Sequence, residues 1–128
     1  MTNKEIYNSA LHLLAETDEM AATSDYEERF PYILALFCNE TEELDRKYRL
    51  SRGLPILPEQ AYIAADPEEE FPLSDRFASA AVYYTAAMFI IDENPEFSDK
   101  LFEKYTARMT DIGSSLSCGK GKIKNIYH

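Results

Sequence analysis

The sequence predicts an all-α fold: a small bundle of about four helices with an irregular, proline-containing connector and a flexible C-terminal tail. Three observations carry that expectation. Apolar residues recur at intervals of three and four in four separate stretches, most of those stretches open on a helix-capping pattern, and prolines or glycines fall between them. With 128 residues, of which 45% are hydrophobic, the chain suits one core. Residues 1–112 read as the helical domain and residues 113–128 as a flexible basic tail.

Thr2 and Glu5 form a capping-box pattern ahead of Ile6, Ala10, Leu13 and Leu14, which predicts a first helix from Asn3 to about Glu16. After a polar break, Ser24 and Glu27 repeat the pattern. Tyr26, Phe30, Ile33, Leu34, Phe37, Leu44 and Tyr48 then make a second, longer stripe ending near Leu50 to Gly53, in which Pro31 must kink the early part or mark a later start. Pro55 and Pro58 force an extended course, because each lacks a donor and restricts the residue before it. The connector is expected from Leu54 to Leu73, with a turn or one short helix between Gln60 and Phe71. Ser74 is placed to cap a third helix, whose face is Phe77, Ala80, Ala81, Tyr84, Ala87, Met88 and Ile91. Its many alanines permit close approach and mark it as the central helix. Asn94 caps and Pro95 starts a fourth helix carrying Phe97, Leu101, Phe102, Tyr105, Met109 and Ile112, with Gly113 as its stop. Lys122 to Tyr127 alternate in a weakly strand-like way.

The net charge of −10 is unevenly spread. All 23 acidic residues and ten of the thirteen lysines and arginines precede Gly113, leaving that stretch at −13; Lys120, Lys122 and Lys124 leave the remainder at +3. A body so acidic repels phosphates, which disfavours nucleic-acid binding. It suits a passage that DNA traverses without adhering, or docking on basic proteins. The apolar run Ala86 to Ile91 is closed by Asp92 and Glu93, so no membrane span is expected. Polar residues near the start argue against a secretory signal. Cys38 and Cys118 lack metal or disulfide spacing and read as free thiols.

No catalytic constellation emerges. His12 has no ligand or triad partner at helical spacing, and the acidic groups Glu40, Glu42, Glu43, Asp45 and Glu68 to Glu70 read as solvated faces. A metal-binding bundle would repeat Glu-x-x-His, which is absent. Gly119 and Gly121 lack the strand-to-helix setting of a phosphate loop. No cofactor, metal or enzymatic activity is therefore expected. Tyr83, Tyr84, Phe89, Phe97, Phe102 and Tyr105 read as core. Tyr62 and Phe71 in the connector and Tyr127 in the tail are core lids or contact residues, and with Lys120, Lys122, Lys124 and Ile126 they form the candidate interaction set.

The stretch Phe71-Pro72-Leu73-Ser74-Asp75-Arg76-Phe77, the alanine-rich helix, Asp92-Glu93-Asn94-Pro95-Glu96 and Phe102-Glu103-Lys104-Tyr105 resembles the small helical head-to-tail connector proteins of tailed bacteriophages and prophages, over about Leu57 to Ile112. The resemblance implies a virion structural protein. Copies would form a homo-oligomeric ring beneath the portal protein, meet neck and tail proteins, and let the genome pass. It would reside in the bacterial cytoplasm during assembly and then in the virion neck. The long second helix and the lysine-bearing tail depart from that pattern and leave the ring contacts open. The rival expectation is a non-catalytic prophage or host regulatory module that binds a basic protein partner.

Overall fold

A computed structural model describes residues 1–15 and 23–126, with residues 23, 24 and 117–126 described by their backbone alone. Four α-helices are present among them: α1 (Asn3–Ala15), α2 (Thr23–Arg52), α3 (Ala78–Phe89), which a single 3-10 turn (Asp75–Phe77) precedes, and α4 (Pro95–Ile126). The all-α expectation holds. The one β-type pairing among the described residues is an isolated antiparallel bridge between Thr2 and Glu70.

Helix α1 begins as its sequence dictates. Thr2 Oγ1 accepts from the Glu5 N–H at 3.2 Å while Glu5 Oε1 accepts from the Thr2 N–H at 2.9 Å, a reciprocal capping box. The Thr2 N–H first, and the Thr2 hydroxyl second, donate to the Glu5 carboxylate and hold it below its ordinary pKa. Two further N–H groups at this end, on Asn3 and Lys4, donate to the carbonyls of Glu69 and Pro67 at 2.9 and 3.0 Å. The connector therefore satisfies donors that the first turn of any helix leaves open. Helix α2 starts upstream of Pro31 and carries it inside, so the proline does not mark a later start. The helix closes in a Schellman motif: Gly53 takes φ 68°, its N–H donates to the Leu50 carbonyl, and the Leu54 N–H donates to that of Arg49 at 2.9 Å.

Helix α3 is the hub. It touches α1, α2 and α4, and Ala80, Ala81, Ala86 and Ala87 are fully buried. Aromatic pairs set the order of the layers. Tyr26 stacks on Phe89 (4.6 Å, 10°), Phe37 meets Tyr84 (5.6 Å) and Tyr48 meets Phe77 (5.9 Å), so α2 and α3 run antiparallel. Tyr7 of α1 lies 5.1 Å from Phe30 and 6.0 Å from Phe89. Helix α4 folds back on α3 as a hairpin: Asn94 Oδ1 accepts from the Phe97 N–H at 3.2 Å, and buried Ser98 Oγ donates to the Ala87 carbonyl at 2.9 Å. Arg29 of α2 donates from Nη2 to the carbonyl of Phe89, the last residue of α3, at 2.9 Å. Asp25 Oδ2 sits 3.0 Å from Arg29 Nε but off its N–H direction, so that contact is an ion pair without a hydrogen bond.

Several expectations are corrected. Gly113 does not stop α4, which continues to Ile126. Ile112 and Leu116 are both buried, and that apolar gain outweighs a cost of about 1 kcal/mol for glycine inside a helix. The strand-like reading of Lys122 to Tyr127 fails with it over Lys122 to Ile126, while Tyr127 lies outside the described residues. Ser74 does not cap through its hydroxyl: it precedes the 3-10 turn with no side-chain cap bond, and its Oγ is buried without a partner. Ile91 falls in the turn after α3 and is exposed. Asp45 is not part of a solvated face. It is 2% exposed, accepting from the Ser74 N–H at 2.9 Å and pairing with Arg49 Nε at 2.9 Å. This carboxylate ties the end of the connector to α2.

Two outcomes test this packing. Replacing Ala81 by Leu should overpack the hub and lower stability by about 1 to 3 kcal/mol in a thermal or urea melt. Asp45→Ala should cost about 3 kcal/mol, because it leaves a buried N–H and a mostly buried guanidinium without their acceptor.

Candidate interaction surface

The connector is ordered by α2 rather than by secondary structure of its own. The Asn39 side-chain amide acts as a strand-like partner for Tyr62, donating from Nδ2 to its carbonyl at 2.7 Å and accepting from its N–H at 2.8 Å. The Ala65 N–H donates to the Pro31 carbonyl at 2.9 Å, and Arg49 Nη1 donates to the Pro55 carbonyl at 3.1 Å. Residues 55 to 65 therefore run antiparallel along α2, from Arg49 back to Pro31. The next turn then crosses to the start of α1, where Asn3 Nδ2 donates to the Asp66 carbonyl at 2.8 Å.

This arrangement decides the fate of the candidate residues. Phe71 is 7% exposed, with its ring 6.3 Å from that of Phe37; it is a lid on the core and offers no contact surface. Tyr62 is half-buried and packs against the core edge, its hydroxyl accepting from Gln60 Nε2 at 3.1 Å. Burial raises its pKa. Lys120, Lys122, Lys124 and Ile126 lie on the last turns of α4, where the backbone alone is described, and Tyr127 lies outside the described residues. The structure does not bring Tyr62 and this tail together. Tyr105 is level with Phe37 at 6.2 Å, so at 1.5 Å per residue Lys120 lies roughly 22 Å further along α4.

The surface that sequence reasoning missed lies on the outer side of α2. Tyr32 is 62% exposed and Leu36 42% exposed. They stand one turn apart, in the i, i+4 row that begins at exposed Glu28 and ends at exposed Glu40. Beside them runs the connector segment with Ile63, at 81% the most exposed large apolar residue described. The signal was available: apart from Leu50 near its end, Tyr32 and Leu36 are the large apolar residues of α2 that fall off its buried stripe. Neither Glu28 nor Glu40 forms an ion pair among the described residues.

Chemically active groups are dispersed. Cys38 is a buried free thiol that burial first, and the charge of Asp45 second, push up to about 12, so it stays protonated and unreactive near neutrality. Tyr84 is likewise raised to about 12, chiefly by burial. His12 is exposed on α1. Among the described residues no three His, Cys, Asp or Glu side chains are grouped to hold a metal ion, and no helix is long and apolar enough to cross a membrane. The groove between α1 and α3, lined by Leu13, Ala78, Val82, Tyr83 and Arg108, is a shallow surface trough. No protein-family model, no curated protein and no solved structure matches this chain.

Proposed function

We propose that the chain is a structural adaptor of the phage head-to-tail connector kind, which assembles as a ring below the portal protein and lets DNA pass. The observation that carries the reading is the stretch from Phe71 to Tyr105. There the Ser74 turn, the alanine-rich helix, the Asn94-Pro95 cap and the helix bearing Tyr105 fold together as one hairpin. The sequence pattern that resembles connectors is thus the structural centre of the molecule.

Other features support the reading. Apolar stripes are spent on helix packing, the titratable groups with strongly raised pKa values are buried core residues, and the acidic body would repel the phosphates of passing DNA. A ring needs a rigid protomer with a face for its neighbour. The pinned connector supplies the rigidity and the α2 surface supplies a face. Such a protein acts through protein contacts, without catalysis, cofactor or specific nucleic-acid binding.

Size-exclusion chromatography with light scattering, on the chain alone and with the portal protein of the same genome, tests this. A multimeric mass and co-elution with the portal are expected. A strict monomer that never co-elutes with the portal would contradict it.

A further inference from the structure

We propose that the Tyr32–Leu36 strip of α2, bordered by Ile63, is the docking site for the basic C-terminal segment of a second copy of this chain, so that copies join head to tail. The inference rests on the ring-assembly part of the function proposed above and gives that ring its contact.

Two properties of the strip define its occupant. Its centre is apolar, with Tyr32 and Leu36 largely in solvent on a helix whose other large side chains are mostly packed inward, and Ile63 adds a third exposed apolar group from the connector alongside. Its ends are acidic, because the same row of α2 carries Glu28 one turn before Tyr32 and Glu40 one turn after Leu36. A complementary segment needs apolar groups beside cations and no acids. The stretch of this chain with that composition is the last one: Lys120, Lys122 and Lys124 with Ile123, Ile126 and Tyr127, and no Asp or Glu after Asp111. Ile123 and Ile126 are three positions apart along a helical backbone, a spacing that suits docking on a ridge of another helix.

Geometry makes the contact intermolecular. Helices α2 and α4 run in the same direction, since the Tyr26 hydroxyl donates to Glu93 Oε2 just before α4 and Phe37 faces Tyr105 further on. As a continuous helix, α4 carries Lys120 roughly 22 Å beyond the level of Leu36 and away from it. The segment cannot reach the strip of its own chain in that form, but it can reach a neighbour's. A contact between two different surfaces of identical chains propagates and closes into a ring when the rotation allows. Each contact can be individually weak, because ring closure makes the last one intramolecular.

The test uses two full-length variants and their mixture in sedimentation velocity. Variant one carries Lys120→Glu, Lys122→Glu and Lys124→Glu; variant two carries Tyr32→Ser and Leu36→Ser. Both change exposed positions or the tail, and circular dichroism checks that both remain helical. Wild type should assemble at tens of micromolar, and each variant alone should assemble at least about ten-fold more weakly. An equimolar mixture should form a 1:1 dimer, because one partner keeps an intact strip and the other an intact tail. Glu28→Lys with Glu40→Lys should restore binding to variant one. The inference is overturned if both variants assemble as wild type does, which leaves the ring standing on another contact and the strip to another protein. It is overturned too if the mixture gains nothing over its components. A wild type that remains monomeric at several hundred micromolar, whether or not its tail folds onto its own strip, would sink both this contact and the ring-assembly reading.

Discussion

Helix α3 must be buried over most of its surface, and the rest of the molecule is arranged to accomplish that. An element with Ala80, Ala81, Tyr84, Ala86, Ala87 and Phe89 all removed from solvent leaves only its Ser79, Val82 and Tyr83 side toward the surface, so three other helices have to cover the rest. Its alanines let those neighbours come close, and the larger groups come from the neighbours: Tyr7 and Leu14 from α1, Tyr26, Phe30 and Phe37 from α2, Leu101 and Tyr105 from α4. The small alanine positions of the hub thus face large, mostly aromatic neighbours. Volume is conserved by pairing the two.

That constraint explains the connector. A chain leaving α2 at Gly53 must return to the start of α3 at the same end of the bundle, yet it makes a long excursion up α2 and across to α1 before coming back. The excursion covers the core edge with Phe71 and Leu73 and meets the open N–H groups of α1. Its own backbone polar groups are answered by side chains of α2, chiefly the Asn39 amide and the Asp45 carboxylate. Irregular chain is tolerated against a core when its donors and acceptors find such partners. The same excursion leaves Tyr32, Leu36 and Ile63 in solvent. The surface proposed for assembly is thus a by-product of how the core is closed.

Much of this was legible in the sequence. The Thr2–Glu5 box, the Gly53 terminus, the Asn94-Pro95 start and the inward stripes follow from local rules, because capping and helical periodicity depend on neighbours within four residues. Asp45 was misread for the opposite reason. Its partners, Ser74 and Arg49, include one that is distant in the chain, and nothing local separates it from the solvated Glu43 two residues earlier. Phe71 could be read as a core lid or a contact residue because it lies in a loop, and the choice of lid depends on where that loop returns. Gly113 looked like a stop because of its intrinsic preference, which burial of Ile112 and Leu116 overrides. The α2 strip was visible only as the residue left over once the buried stripe had been drawn.

Native-state hydrogen exchange followed residue by residue tests the central role of α3 most directly. Amides of Ala81 to Phe89 should exchange last and only through global unfolding, while those of the connector between Leu54 and Glu70 open earlier through local fluctuations. Exchange of the α3 amides at the rate of the connector, well below the global unfolding free energy, would contradict a bundle organised around a central, mostly buried helix.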